Sequence, residues 1–170
     1  MSFDQHVSIT DHRYGSMMVT VEPQRSVVLE GENVPLVRIE RVEGSTLSET
    51  VPVGTRRSDD LTMTLDGQPV RLAPAGGRLS RRSYRIDITH AGSRYRLQPN
   101  SFSGSRLTRD GRPLGELFWL DDHRFAEWEQ RADLRPSDAA LGYALAASFG
   151  TGAQPFWMTA LDLVAAGTPG

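Results

Sequence analysis

Residues 139–166 read AALGYALAASFGTGAQPFWMTALDLVAA, and Asp162 is the only charged residue among them. The first part, residues 139–149, is apolar on every side of a helix, and such a helix must be enclosed by protein or lipid. Two glycines and a proline interrupt the run, leaving pieces of 11 and 12 residues, whereas a membrane span needs roughly 20. The stretch therefore predicts a helix enclosed by a sheet, with Leu141, Leu145 and Phe149 in the core.

Residues 155–166 predict a second, shorter helix, which follows a turn at residues 150–154. Pro155 is tolerated at a first helical position, and an apolar face follows it. At the start of the first helix, Ser137 is the predicted N-cap, and Asp138 favours the first turn because helix N-termini attract negative charge.

The chain before the helices has the alternating pattern of half-buried strands. Residues 16–21 and 35–42 each predict a strand, with a turn at 31–33 between them. Residues 1–14 are polar and predict a loosely ordered segment. Residues 44–60 predict a polar connection that contains one possible short strand at 51–53.

Three two-residue turns predict three antiparallel hairpins between residues 61 and 117, because Asp-Gly and similar pairs accept the positive φ of tight hairpin turns. The turn at 66–67 predicts that Met63 opposes Val70 and Leu61 opposes Leu72; the turn at 110–111 predicts that Leu107 opposes Leu114. The turn at 91–92 directs Ile86, Ile88, Tyr95 and Leu97 inward and pairs Asp87 with Arg96 outside.

Residues 118–131 fit two structures. Asp121-Asp122 could turn a further hairpin, whereas Phe125, Trp128 and Ala132 have helical spacing. The preceding meander favours a strand. The complete pattern predicts one domain over residues 1–170 with a β-rich α+β fold: an antiparallel meander over 15–131, forming a barrel or strongly curved sheet around an apolar C-terminal helix, and a helical segment over 137–166.

The hairpin motifs YRIDITHAGSRYRLQP and RLTRDGRPLGEL, followed by the helix DAALGYALAASF, resemble the second half of the tubby C-terminal-like superfamily. That superfamily includes the LURP-one-related and scramblase-like proteins, and the resemblance covers residues 61–150. It implies a β-barrel with a central helix that serves as a binding or anchoring scaffold. Tubby proteins bind phosphoinositide head groups and scramblase members associate with membranes, but no binding residue transfers to a position of this chain.

The charge distribution contains the strongest functional signal. All 19 cationic residues are Arg, and residues 51–112 carry a net charge of +7 between flanks of −4 and −5. Arg85, Arg94, Arg96 and Arg109 are the candidate anion-binding residues, since guanidinium groups bind phosphate and carboxylate bidentately. The alternatives are a GC-rich coding genome as the source of the Arg residues, and a solvated exterior whose Arg residues pair with carboxylates.

These observations favour a non-enzymatic binding or scaffold domain that recognises an anionic ligand, lipid or membrane surface. The second hypothesis is a protein-interaction module that acts through the acidic C-terminal part and Trp119, Trp128 or Trp157; a hydrolase with an unrecognised site is third.

The motifs predict no catalytic residue, cofactor or metal site, because none of the four His residues has ligand spacing. Nucleic acid is not expected as a partner, since the net charge is −2. Without cysteines, a secretion signal or a transmembrane segment, the chain is expected to be cytoplasmic, either free or peripheral at a membrane.

Overall fold

The computed structural model describes residues 3–77 and 80–152. The predicted second helix at 155–166 and Trp157 lie outside the described residues. The described chain contains two short 3-10 turns (Ser58–Asp60 and Arg81–Tyr84), the helix α1 (Pro136–Phe149) and twelve strands. The strands are β1 (Gln5–Asp11), β2 (Gly15–Glu22), β3 (Ser26–Gly31), β4 (Val34–Arg41), β5 (Leu61–Leu65), β6 (Gln68–Pro69), β7 (Arg71–Pro74), β8 (Ile86–His90), β9 (Ser93–Pro99), β10 (Gly104–Arg109), β11 (Arg112–Trp119) and β12 (Arg124–Trp128).

The strands form two antiparallel six-stranded sheets, ordered β1-β2-β3-β4-β5-β6 and β12-β11-β10-β9-β8-β7. The sheet-dominated α+β class is confirmed, but the two sheets are not closed into a barrel. At one side the first sheet ends with β6, which is only two residues long and contains Pro69, a residue without the N–H that would continue a ladder. At the other side, β1 and β12 are linked by a side-chain hydrogen bond from Trp128 to Asp11, and no backbone pairing between them is found in the described residues.

Helix α1 lies between the sheets, and every residue from Asp138 to Phe149 is buried. It contacts β2, β3 and β4 of the first sheet and β9 and β11 of the second. Small residues allow this close approach: a Cβ on Gly142 would lie 3.0 Å from Leu107 Cδ2. The predicted N-cap at Ser137 is wrong, because Arg135 is the N-cap residue and Pro136 follows it. Asp138 caps this end instead, since its Oδ2 accepts a hydrogen bond from the Arg135 backbone N–H at 2.8 Å.

The hairpin at 91–92 has the predicted register, with Ile88 opposite Tyr95, Ile86 opposite Leu97 and Asp87 opposite Arg96. Its two turn residues have φ angles of 49° and 79°, as a tight hairpin turn requires. All seven side chains predicted to form the core are buried, with exposed fractions of 8% or less: Leu141, Leu145, Phe149, Ile86, Ile88, Tyr95 and Leu97.

Two predicted cross-strand pairs are wrong. Met63 does accept a backbone hydrogen bond from Val70, but the chain then crosses to the second sheet, where Leu72 opposes Ile88 instead of Leu61. In the hairpin at 110–111, a bulge shifts the register, so that Leu107 opposes Gly115 rather than Leu114. A bulge inserts one unpaired residue into a strand. Glycine suits position 115, opposite Leu107, because a Cβ there would lie 2.7 Å from the Glu127 carbonyl oxygen.

Two further segments differ from their predicted structure. Residues 1–14 were predicted to be loosely ordered, yet they contain β1, which pairs with β2 over its full length. Residues 51–53 form turns rather than a strand, although Val51 and Val53 are buried. The preference for a strand within residues 118–131 is confirmed by β12, which follows a bend at Asp121-Asp122.

The turns at Asp66 and Asp110 make the same pair of bonds to a neighbouring strand. Asp66 donates its backbone N–H to the Leu36 carbonyl and accepts the Leu36 N–H at its carboxylate, at 2.7 and 2.8 Å. Asp110 exchanges the equivalent bonds with Arg94, at 2.8 and 2.9 Å. Each turn therefore holds the end of the strand beside it, and the second turn fixes the backbone of Arg94.

A buried carboxylate joins the N-terminal hairpin to the helix. Asp11 accepts hydrogen bonds from the Tyr143 hydroxyl at 2.6 Å and from Trp128 Nε1 at 2.9 Å. Its other oxygen accepts the backbone N–H groups of Arg13 and Tyr14 at 2.8 and 3.0 Å. Asp11 thereby connects β1, β12 and α1, which are distant in the sequence.

Burial and the neighbouring Asp11 carboxylate raise the pKa of Tyr143 above its ordinary value. A group with a raised folded-state pKa stabilises the fold fully below its unfolded-state pKa, which is about 10 for tyrosine, and that contribution is lost above it. We therefore expect the unfolding midpoint to fall as the pH rises beyond about 10. Thermal unfolding in an alkaline pH series measures this fall. The fall should be shallower in Tyr143→Phe than in wild type; equal slopes in the two proteins would contradict the assignment.

Candidate functional site

The outer face of the second sheet has a groove of about 690 Å³ across β7, β8, β9 and β10. Side chains alternate between the two faces of a strand, so the inward positions of Leu72, Ile88 and Tyr95 place their neighbours outside. Arg71, Thr89 and Arg94 oppose one another across β7, β8 and β9 and form one outward row. Ala73, Asp87, Arg96 and Thr108 form the next row along the same strands.

Arg71 and Arg94 are the exposed cations of the first row. Across residues 3–77 and 80–152, no carboxylate lies within the 4.0 Å ion-pair distance of either guanidinium group. Thr89 is exposed between them, and its hydroxyl can donate or accept a hydrogen bond. The row therefore presents two guanidinium groups and one hydroxyl to the solvent.

Asp110 holds Arg94 in place without neutralising it through an ion pair. Its carboxylate accepts the backbone N–H of Arg94 at 2.9 Å. This hydrogen bond is the main reason why the pKa of Asp110 lies below its ordinary value. The Arg94 side chain remains available at the edge of the groove.

Arg96 and Arg85, two of the predicted site residues, share one carboxylate. Arg96 binds Asp87 through two parallel hydrogen bonds, Nε to Oδ1 at 2.7 Å and Nη2 to Oδ2 at 3.1 Å. The hydrogen bond to Asp87 raises the pKa of Arg96. Arg85 Nε lies 3.6 Å from Asp87 Oδ2. The pairing of Arg residues with carboxylates, weighed as an alternative from the sequence, therefore applies to these two residues.

The prediction that Arg109 belongs to the anion-binding exterior is wrong. Arg109 lies opposite Tyr95 and donates from Nη1 to the buried carboxylate of Asp138 at 2.5 Å. Its Nη2 donates to the Asp133 carbonyl oxygen at 2.7 Å, and only 11% of the side chain is exposed. The alternation of side chains along a strand could have predicted this position, because Arg109 is two residues from the inward Leu107 and so lies on the same face.

Arg71 is the site residue that the sequence interpretation missed. Alternation with the inward Leu72 already places Arg71 outside. However, the hairpin predicted at 66–67 opposed Leu72 to Leu61 and specified no pairing between the strand of Arg71 and that of Arg94. Only the crossing of the chain after Val70 brings β7 beside β8, and with it Arg71 into the row of Thr89 and Arg94.

The tryptophans proposed as interaction residues are partly buried where they are described. Trp128 binds Asp11 and packs edge-on against Tyr14 and Tyr143. Trp119 lies under the Arg124 guanidinium group, 5.2 Å from its ring centroid. The exposed aromatic residues are different: Phe3 is 77% exposed and Phe102 52%, and Phe125, 38% exposed, stacks on Phe118 with ring centroids 4.7 Å apart.

In the described part of the chain, no group of three or more His, Cys, Asp or Glu side chains is placed to hold a metal ion. No helix there is both long and apolar enough to cross a bilayer. Comparisons of the chain with protein-family models, with curated proteins and with solved structures found no match.

Proposed function

We propose that the chain is a non-enzymatic binding domain that recognises a small anionic ligand in the groove of the second sheet. The observation that supports this function most is the outward row of Arg71, Thr89 and Arg94, whose two guanidinium groups have no ion-pair partner among the described carboxylates. The phosphate or carboxylate group of the ligand would bind between the two arginines. The resemblance to the tubby C-terminal-like superfamily supports a binding scaffold, although no binding residue of that superfamily transfers to this chain.

The dimensions of the row suit one compact anion. Neighbouring strands lie about 4.8 Å apart, so the Cα atoms of Arg71 and Arg94 are separated by about 10 Å, with β8 between them. Two long side chains from these positions can converge above Thr89. The groove volume of about 690 Å³ lies within the range of small-molecule sites, about 300–1,000 Å³. Charge-assisted hydrogen bonds from both guanidinium groups would supply the affinity.

A discrete ligand fits this face better than an anionic membrane surface, because carboxylates lie among the cations beyond the first row. In the next row, Asp87 pairs with Arg85 and Arg96. Farther along the sheet, Arg106 lies opposite Glu116, which in turn lies opposite Glu127. A membrane-binding surface needs an extended cluster of unneutralised cations, each contributing about 1 kcal/mol.

The non-enzymatic part of the proposal rests on the chemistry of the groove lining. Its two carboxylates are already engaged, Asp87 by Arg96 and Asp110 by the Arg94 N–H. The remaining polar groups are guanidinium and hydroxyl groups, which bind anions well and are poor general bases near neutral pH.

Calorimetric titration with inorganic phosphate tests the function. We expect weak binding that decreases with salt, because exposed charges are screened over about 8 Å at physiological ionic strength. Arg71→Glu with Arg94→Glu should lower the affinity by more than about tenfold, since two attractive charges become repulsive. The charge-matched control, Arg38→Glu with Arg131→Glu, changes exposed positions outside the groove and should bind as wild type does.

Two other outcomes of the titration would contradict the proposed site or the proposed ligand. If wild type and the groove variant, which combines Arg71→Glu with Arg94→Glu, bind phosphate equally, the row of Arg71, Thr89 and Arg94 is not the site. If phosphate does not bind but phosphatidylserine vesicles sediment the protein, and the groove variant does not sediment, the membrane-surface function replaces the small-ligand function. All variants should keep the wild-type unfolding midpoint, because the changed side chains are exposed.

A protein-interaction module is the second candidate, and the stacked pair of Phe118 and Phe125 favours it. Exposed aromatic residues are enriched at the centres of protein interfaces. The pair lies on the outer face of the second sheet, two residues along β11 from Glu116 and thus within the acidic C-terminal part of the chain. A pull-down from the native host tests this function. A partner protein should be retained by wild type and by the groove variant but lost by Phe125→Ser.

A further inference from the structure

Asp87 lies beside the proposed ligand position, on the outer face of the second sheet. It opposes Ala73 on β7 and Arg96 on β9, one outward row away from Arg71, Thr89 and Arg94. Successive outward rows are two residues apart along a strand, which corresponds to about 7 Å. A ligand that extends along the strands beyond the first row therefore meets Asp87.

Asp87 binds Arg96 in the way that a ligand carboxylate or phosphate would. Both of its oxygens accept from one guanidinium group, at 2.7 and 3.1 Å, and Arg85 approaches the same carboxylate at 3.6 Å. This bidentate arrangement is the preferred geometry between arginine and an oxyanion. Asp87 thus engages Arg96 of the groove and the nearby Arg85, whereas Arg71 and Arg94 form no ion pair with any carboxylate of the described residues.

We propose that Asp87 is a specificity-determining residue that restricts the groove to ligands with one compact anionic group and rejects extended polyanions. This inference rests on the proposed function. A single phosphate group bound between Arg71 and Arg94 stays within the first row. A linear polyphosphate reaches the second row, where Asp87 repels it and already holds the guanidinium group of Arg96.

The test compares inorganic phosphate with tripolyphosphate in wild type, Asp87→Asn and a matched control. Asp87→Asn keeps the shape of the side chain but removes its charge, which frees Arg85 and Arg96 for the ligand. We expect its affinity for tripolyphosphate to rise by about tenfold and its affinity for phosphate by less than about threefold. The control Glu30→Gln removes one exposed carboxylate from the first sheet, so it should leave the ratio of the two affinities unchanged.

Two further variants separate specificity from a general change in charge. Asp87→Glu keeps the negative charge and should retain the wild-type affinity ratio. Asp87→Asn combined with Arg96→Gln should lose most of the gain for tripolyphosphate, because the freed guanidinium group is then absent. Thermal unfolding confirms that each variant is folded; the ion pair is partly exposed, so the midpoints should change little.

The outcomes distinguish this inference from the proposed function. If phosphate binding depends on Arg71 and Arg94 but Asp87→Asn leaves the affinity ratio as in wild type, the role of Asp87 is refuted and the groove function stands. Equal gains for both ligands also refute it. If wild type binds neither anion while Asp87→Asn binds tripolyphosphate through Arg96, Asp87 does exclude polyanions, but the proposed ligand site is wrong. If neither protein binds either anion, both proposals fail.

Discussion

Leu145→Asp is expected to unfold the protein. Leu145 is 0% exposed, in the middle of a helix whose residues are buried on all sides between the two sheets. The substituted carboxylate would have no partner there, and an unpaired buried charge costs several kcal/mol or forces the group to take up a proton. Whole domains are stable by only about 5–15 kcal/mol. A truncation to Leu145→Ala should cost less, about 2–5 kcal/mol, because it leaves only a cavity.

Denaturant unfolding followed by circular dichroism measures both losses. The matched control is Leu36→Asp, since Leu36 lies on β4 with 38% of its surface exposed, and the new carboxylate would reach water. We expect this control to fold with a midpoint near that of wild type. A soluble Leu145→Asp protein that unfolds cooperatively at the wild-type midpoint would show that α1 is not the core of the fold.

The second large effect is expected for the buried pair of Asp138 and Arg109. Asp138 is 0% exposed and accepts hydrogen bonds from the Tyr95 hydroxyl at 3.0 Å, from Arg109 at 2.5 Å and from the Arg135 N–H at 2.8 Å. Asp138→Ala leaves the Arg109 charge partly buried without its carboxylate and removes the N-terminal cap of α1. Breaking such a pair costs about 3–5 kcal/mol.

A double-mutant cycle isolates the pair itself. Arg109→Met alone leaves the Asp138 carboxylate buried without its cation, and it should destabilise the fold comparably. The double variant should lose less than the sum of the two single losses, with a coupling free energy above about 1 kcal/mol, since neither charge is then left alone. Strict additivity would mean that the 2.5 Å contact contributes no coupling.

Arg109→Met also separates stability from binding. Because Arg109 binds Asp138 and the Asp133 carbonyl rather than the solvent, the variant should bind phosphate with wild-type affinity at a temperature at which it is folded. The groove variant with Arg71→Glu and Arg94→Glu should show the opposite result: reduced binding with unchanged stability. A loss of phosphate affinity in folded Arg109→Met would return Arg109 to the binding surface.

The amino-acid sequence by itself determined the elements that depend on neighbours along the chain. The two-residue turn at Ala91 and Gly92 requires positive φ at both positions, so the register from Ile86 to Leu97 follows from local geometry and from the apolar face that it creates. The burial of α1 follows in the same way, because residues 139–149 offer no polar face. The hairpin register and the burial of α1 depend on residues that are close in the sequence, so both can be predicted without knowing any contact between distant residues.

Only the tertiary structure decided which charged groups meet. Whether a strand continues one sheet or crosses to the other depends on packing over the whole chain, so Arg71 could not be placed beside Arg94 from the hairpin pattern. The partner of Arg109 is Asp138, 29 residues away, and that of Tyr143 is Asp11, 132 residues away. Hydrogen bonds and close ion pairs form only when the two groups are within a few ångströms, and these distances are set only when the sheets enclose the helix.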